Sequence, residues 1–456
     1  MSGSSGSYIH GGTSITRLRV TTATERHDDP HRVNAETLEL ARLQFAITAG
    51  AHFLFVALTL GLATIVACLQ TRATFSRSEV HARMTRFWGQ LYVINYAVGI
   101  VTGLVMEFQF GLSWSGLTHF AGNVFGASLA METLVAFFIE STFLGLWIFG
   151  WHRLNRWAHL ALIWVVTLTA YASAYWILVS NGFLQNPVGY RVEGDSLVLT
   201  DLGALLTNHS TILPFWHILG GALVTAAFFM AGISAFHLFR RTPEQEFFRR
   251  SLRIGVAVGL PALMFTATIG GIQFAPTGES QPMKMAAYAG DQAELDRLQA
   301  EMVAQYGPGD YLPPVGWVQA GATTMLAMFG LMLMLSAASF LLMWFRPVVL
   351  RFRLWHLLLI AAIPMPFIAM IAGWVFREMG RQPWVVNGLL RVEDAVSPVS
   401  SGAMLGSLIT FSVLFGVLIL VNYWLLARQA ARGPDEVALG RPEAEHRPEP
   451  APTATF

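Results

Sequence analysis

The chain has 456 residues, 54% hydrophobic and 12% charged, about half the charged share of an ordinary soluble domain. The formal net charge of +1 says nothing of acidic partners because the charges segregate by loop, and no nucleic-acid partner is expected. A lone cysteine, Cys68, excludes an internal disulfide, a cysteine zinc site and a CxxCH haem attachment; the composition is that of a polytopic membrane protein.

In chain order, residues 1–40 open with MSGSSGSYIHGG, show no cleavable signal peptide, and are expected to be disordered. A membrane span needs about 20 apolar residues. Such stretches lie near 44–69, 92–110, 126–150, 158–182, 213–238, 253–274, 317–345, 354–378 and 403–428. Two longer connections interrupt them. Residues 183–212 hold QNP and a short strand-like Val/Leu run; residues 275–316 hold GESQPMKMAAYAG, an acidic amphipathic stretch and YGPGDYLPP, whose Pro/Gly content argues against a span. The tail from 431 is Pro/Glu-rich and expected to be disordered. The reading is all-α: one nine-helix membrane domain over 41–430, with no repeat that would support an inverted-repeat transporter.

Positive charge alternates between the connections. One set carries Arg72, Arg77, Arg83 and Arg86, then Arg153 and Arg156, then Arg240, Arg241, Arg249, Arg250 and Arg253, then Arg346, Arg351 and Arg353. The other carries only Arg191, Lys284, Arg297, Arg381 and Arg391, and Lys284 is the only lysine of the chain. By the positive-inside rule the N-terminus lies outside and the C-terminus in the cytoplasm.

Polar residues inside apolar spans are costly and usually functional. His52 lies about two turns into the first span and His217 just inside the fifth; each alone reads as a core histidine or a ligand. Met325, early in the seventh span, lies at a depth comparable to His217, and a His/Met axial pair would hold a six-coordinate haem. Met328 competes, one turn away. Glu132 and Glu140 share the third span, eight residues apart and within about 80° on one helix side. That span contains no cation, so a proton path, or a carboxylate beside a metal, reads better than an ion pair; Glu107 and Ser141 could extend it. Glu378 and Arg381 close the eighth span either as a helix-end ion pair or as a haem-iron carboxylate with an arginine on a propionate.

RLQFAITAGAHFLFVALTLG, MTRFWGQLY, GLVMEFQFG, GASLAMETLVAFFIESTFLGLW, YWILVSNGFLQNP, FWHILGG, QPMKMAA and GWVFREMGRQPW, in that order from about residue 40 to 428, resemble subunit I of the cytochrome bd family of terminal oxidases. The resemblance implies nine helices and three haems near the outer face: two haems b, with a haem d or a third haem b at the oxygen site. It implies His52 as ligand of the oxygen-reducing haem, Glu378 of the high-spin haem b, and His217 with Met325 of the low-spin haem b. Glu132 and Glu140 would lie on the proton route, and Arg42, Ser173, Asn181, Trp374 and Arg381 would line the haems or that route. It further implies a second membrane subunit, dioxygen as substrate, surrounding membrane lipid and a bacterial inner-membrane location.

Two departures cluster at the quinol-associated positions. The family's quinol oxidases usually carry a glutamate five residues after the lysine matched by Lys284, where this chain has Ala289. They also carry an arginine two residues before the methionine ligand, where this chain has Thr323. Neither replacement can act as a base, so weak or unusual quinol oxidation is expected, with Lys284 retained, Glu279 as a substitute base, or another donor. The leading expectation is an oxygen-reducing terminal oxidase. A haem relay or gas sensor without turnover and a proton-coupled transporter are the rivals.

Overall fold

The computed structural model describes residues 34–441; most of the predicted N-terminal extension and C-terminal tail lies outside the described residues. The elements run α1 (Ala35–Ser76), α2 (Glu79–Ser113), α3 (Ser115–Met131), a π-helical turn (Glu132–Phe137), α4 (Phe138–Phe149) and α5 (Arg156–Gln185). Then come an antiparallel hairpin of β1 (Tyr190–Glu193) and β2 (Ser196–Leu199), α6 (Leu202–Leu206), α7 (His209–Arg240), α8 (Gln245–Ile272), α9 (Phe274–Ser280), α10 (Pro282–Ala289) and α11 (Gln292–Tyr306). The chain continues through α12 (Val315–Leu342), α13 (Arg346–Arg351), α14 (Arg353–Ala361), α15 (Met365–Met379), a second hairpin of β3 (Trp384–Val386) and β4 (Leu390–Arg391), α16 (Val392–Ala395) and α17 (Ser401–Arg432). Nine helical passages among the described residues are long and apolar enough to cross a membrane, as the hydropathy predicts.

Local chemistry explains the joints. Asn34, Asn155, Asp201, Asn208, Asp291 and Ser400 cap helix starts with their side-chain oxygens. The eighth passage breaks between α14 and α15 at Pro364 and Pro366, which cannot donate backbone bonds. The π turn falls in the third passage and begins at Glu132, and such turns concentrate at functional sites.

The predicted boundaries need two corrections. Residues 35–40 are not disordered: they form the start of α1, where Asn34 Oδ1 accepts from Thr37 N at 2.7 Å and Asn34 Nδ2 donates to Ser401 Oγ at 2.9 Å. Residues 431–441 also pack, with Val437 and Leu439 buried and Leu439 N donating to Gln90 Oε1 at 3.0 Å. Two well-placed apolar side chains dock a segment whose average composition reads as polar. The 275–316 connection is likewise ordered as three short helices, with Leu295 and Leu298 buried against Met283, Ala287 and Val318.

Helices α1 and α7 form the centre. The most apolar window of the α6–α7 passage is 83% buried, whereas that of the α3–α4 passage is 12% buried and faces outward. Gly61 permits the α1–α7 contact, since a Cβ there would lie 2.0 Å from the Ala222 carbonyl oxygen. The largest core, near the arginine-rich turns, gathers Phe87, Trp88, Trp147, Phe248 and Trp355. Some of its polar atoms are satisfied inside the protein, whereas the Tyr92 and Tyr96 hydroxyls and Trp151 Nε1 have no partner among the described residues. Gln70 accepts from Trp147 Nε1 at 2.8 Å and donates to His159 Nδ1 at 2.8 Å, and His159 Nε2 donates to the Trp147 carbonyl at 2.9 Å. A second core, at the end carrying the long connections, joins Leu117, Phe183, Leu197 and Leu205 to Val385 and Val386.

Candidate functional site

A cavity of about 360 Å³ opens between α1, α2, the α3–α4 passage, α5 and α15, a volume in the range of cofactor pockets. His52, Glu107, Glu132, Glu140, Trp374 and Glu378 all line it, together with Ser173, Asn181, Arg377 and Arg381. His52 is held by α2. Thr102 Oγ1 spends its proton on the Gly99 carbonyl at 2.9 Å, so it accepts from His52 Nδ1 at 2.9 Å. With Nδ1 so engaged as donor, Nε2 is the nitrogen left for a ligand, as an iron-ligating imidazole requires.

The carboxylates differ in their settings. Glu132, at the start of the π turn, accepts from Ser173 Oγ on α5 at 2.7 Å and from Thr133 Oγ1 at 3.2 Å. Thr133 Oγ1 also lies within hydrogen-bond reach of Glu107 on α2, so one hydroxyl bridges two carboxylates. Glu140 is buried on the same cavity with no hydrogen bond or ion pair among the described residues. The expectation that Glu132 and Glu140 share one side of their span agrees with this placement. Ser141 does not extend the group; its hydroxyl donates to the Phe138 carbonyl at 3.3 Å.

Glu378 sits in a buried charge cluster. Its Oε1 accepts from Asn181 Nδ2 at 3.0 Å and Gln185 Nε2 at 3.2 Å, and its Oε2 pairs with Arg381 Nη2 at 2.5 Å. Arg377 donates from Nε to Asn181 Oδ1 at 2.9 Å and from Nη2 to the Ser210 carbonyl at 3.0 Å. Lys284 reaches in from α10, packs its stem on Gly380 and donates to Gln185 Oε1 at 3.0 Å. Burial pushes the Lys284 ammonium well below its usual range; Arg377 and Arg381 add to this and Glu378 opposes it. One carboxylate thus stands among two arginines and a lysine, and Arg381 Nε is buried without a partner. Such an excess suits an anionic group such as a haem propionate.

His217 and Met325 lie outside this cavity, in the ring of α7, α8, α12 and α15. His217 Nδ1 donates to the Thr266 carbonyl at 2.9 Å, again leaving Nε2 unspent. Each faces a glycine. A Cβ at Gly270 would lie 2.9 Å from His217 Cε1, and one at Gly373 would lie 2.8 Å from Met325 Sδ. Met328 instead packs on the core formed by Val224, Phe228, Leu263 and Met332. Arg42 is not brought to either group: it pairs with Glu39 at 2.8 Å, one turn away, and its side chain is 30% exposed. Among the described residues no three His, Cys, Asp or Glu gather as a ligand set for a bare metal ion. Single unspent imidazole nitrogens beside a cavity or a glycine fit an iron whose in-plane bonds come from a macrocycle.

Sequence reasoning missed Thr102, Thr133, Gln185 and Arg377. Arg377 carries a visible signal, a second cation beside Glu378 at the end of an apolar span. The three neutral residues carry none, because their roles arise only from which helices meet.

The family model for cytochrome bd terminal oxidase subunit I matches residues 40–306 and 294–434. Cytochrome bd ubiquinol oxidase subunit 1 of Bacillus subtilis (strain 168) is 39% identical over 443 residues, covering 87% of this chain and 94% of that protein. Cytochrome bd-II ubiquinol oxidase subunit 1 of Escherichia coli (strain K12) is 31% identical over 518 residues, covering 89% and 99%. The putative cytochrome bd menaquinol oxidase subunit I of Bacillus subtilis (strain 168) is 26% identical, covering 82% and 93%. The structure of bd oxidase from Geobacillus thermodenitrificans shares the fold, with a TM-score of 0.78 at 24% identity over 88% of this chain and 99% of that one. This chain belongs to the cytochrome bd terminal oxidase subunit I family, and is a multi-pass membrane oxidoreductase of the respiratory, oxygen-reducing haem type.

Proposed function

We propose that the cavity lined by His52 and Glu378 is the oxygen-reducing site, with His52 Nε2 and the Glu378 carboxylate as iron ligands. The observation that carries this is the 2.9 Å contact of His52 Nδ1 with Thr102 Oγ1, which occupies that nitrogen and leaves Nε2 free on the cavity that Glu378 also lines. Haem bound there supplies the electron transfer and the iron chemistry of oxygen reduction. Around it the chain positions and moves protons. Arg381, Arg377 and Lys284 hold the anionic edge, Trp374 closes the wall, and Glu140 passes protons to Glu132, which Ser173 and Thr133 orient. His217 and Met325 would hold a separate low-spin haem b, which would be the entry point for electrons. The full proposed complement is two haems b and a haem d or third haem b.

Relatives named for ubiquinol and menaquinol support quinol as donor here too. The expected carboxylate of the 275–316 region and the expected arginine of α12 are missing, since Ala289 and Thr323, both exposed, stand at those positions. The proposed site is therefore an altered one, with exposed Glu279 as its base. The relatives' names as subunit 1 support a second membrane subunit as partner, and the arginine distribution supports an outer N-terminus in a bacterial inner membrane.

Reduced-minus-oxidised spectra and oxygen uptake of the purified complex test the assignment. His52→Ala and Glu378→Gln are expected to lose the oxygen-reactive high-spin signals, and His217→Ala the low-spin signal alone. Full turnover with an intact high-spin signal in His52→Ala would overturn it. Glu140→Gln is expected to keep its haem while oxygen uptake falls about 100-fold, the low end of general acid–base contributions.

A further inference from the structure

A tyrosine on the cavity wall and a second tyrosine beside it are polar groups that the roles above do not use. Tyr92 and Tyr96 stand one turn apart on one face of α2, with ring centroids 5.7 Å apart. Tyr92 is fully buried and Tyr96 is 6% exposed, and neither hydroxyl has a hydrogen-bond partner among the described residues. Tyr96 lines the same cavity as Glu140, which is 7% exposed and equally without a partner. Asn95, between the two tyrosines, is occupied. Its amide donates to the Phe55 carbonyl at 2.8 Å and to Thr59 Oγ1 at 2.9 Å, and its oxygen accepts from Asn422 Nδ2 at 3.1 Å.

Phenylalanine would fill both positions in this core without stranding a hydroxyl. Unpartnered buried hydroxyls are destabilising, and native proteins satisfy them with protein or water. The Tyr96 hydroxyl and the Glu140 carboxyl line one cavity, where a bound water finds both, and the Tyr92 hydroxyl lies one helical turn from Tyr96, outside that lining.

We infer that Tyr92 and Tyr96 are positioning residues of a water file that delivers protons to Glu140 from the arginine-rich side. This rests on the reading of Glu140 as a proton carrier. Each hydroxyl accepts a hydrogen bond from one water and donates to the next. A proton entering beyond Tyr92 displaces one at each link until the Glu140 carboxylate is protonated. Both tyrosines end neutral, as they began, and no electron moves.

The test uses the purified complex in four forms: wild type, Glu140→Gln, Tyr96→Phe, and Tyr92→Phe with Tyr96→Phe. Proton uptake after an oxygen pulse is followed in H₂O and D₂O, with infrared detection of the Glu140 carboxyl stretch, identified by its loss in Glu140→Gln. The tyrosine variants should keep the wild-type haem spectrum. Proton uptake should slow roughly two- to tenfold, the range that loss of one hydrogen bond in the transfer gives. The isotope effect should rise and the Glu140 band should move to higher frequency. If Glu140→Gln is slow while the tyrosine variants keep wild-type uptake and an unmoved band, the tyrosine inference fails. If Glu140→Gln itself takes up protons at the wild-type rate, the underlying reading fails. A changed haem spectrum in the tyrosine variants would make the hydroxyls structural and would also overturn the inference.

Discussion

The cluster of Trp147, Gln70 and His159 and the cavity of this protein solve the same problem in opposite ways. At the arginine-rich end the Trp147, Gln70 and His159 side chains close on one another, and Trp355 Nε1 donates to Ser339 Oγ at 2.8 Å. Around the cavity His52 Nε2 is unspent, Glu140 has no partner among the described residues, and Arg377, Arg381 and Lys284 crowd one carboxylate. A membrane interior penalises every unmet polar group. Polar atoms that the fold satisfies are closed to anything else, and those it does not satisfy are open to something outside the chain: a cofactor, a proton, a water. Where the chain is closed, substitutions should cost stability; where it is open, they should cost cofactor or turnover.

Glu378→Gln should have the largest effect, because it leaves Arg377, Arg381 and Lys284 buried without a carboxylate. Breaking a buried pair this way costs about 3–5 kcal/mol. Thermal unfolding in detergent and haem content should both fall; unchanged values in both would break the contrast at its strongest point. Next, Gln70→Ala should cost about 1–3 kcal/mol by stranding Trp147 Nε1 and His159 Nδ1. Haem spectra and oxygen uptake per haem should stay at wild type, and a spectral change would show that the closed end is not independent of the cavity.

The methionines sharpen the contrast within one helix. Met325→Leu and Met328→Leu are volume-conserving and should each cost under about 1.5 kcal/mol in stability. Only Met325→Leu should convert the low-spin haem to a five-coordinate or lower-potential form in redox titration. An unaltered low-spin spectrum in that variant, with a change in Met328→Leu, would move the ligand one turn. The smallest structural effect is expected from Glu279→Gln, since the side chain is exposed. Its melting temperature should be unchanged while quinol-driven oxygen uptake slows. Fast quinol oxidation that ignores the substitution would remove Glu279 from the donor site.

Much of this protein is legible in its sequence because a bilayer imposes simple rules. Nine apolar stretches could be counted because each must satisfy its backbone within one helix. His52, His217, Glu132, Glu140 and Glu378 stood out because lipid-embedded positions rarely tolerate such side chains. The ordered starts and ends, residues 35–40 and 431–441, were misread because composition averages over the few side chains that dock them. What only the tertiary structure decided is which groups meet. Thr102 engages Nδ1 of His52 from a helix about fifty residues away, Gln185 joins Lys284 to Glu378, and Arg42 turns to Glu39 rather than to the cavity. Hydropathy fixes how deep a residue lies in the membrane and on which helix. Helix rotation and the neighbours it selects depend on packing across the whole bundle, at contacts such as Gly61 on Ala222, and no local stretch of sequence contains that information.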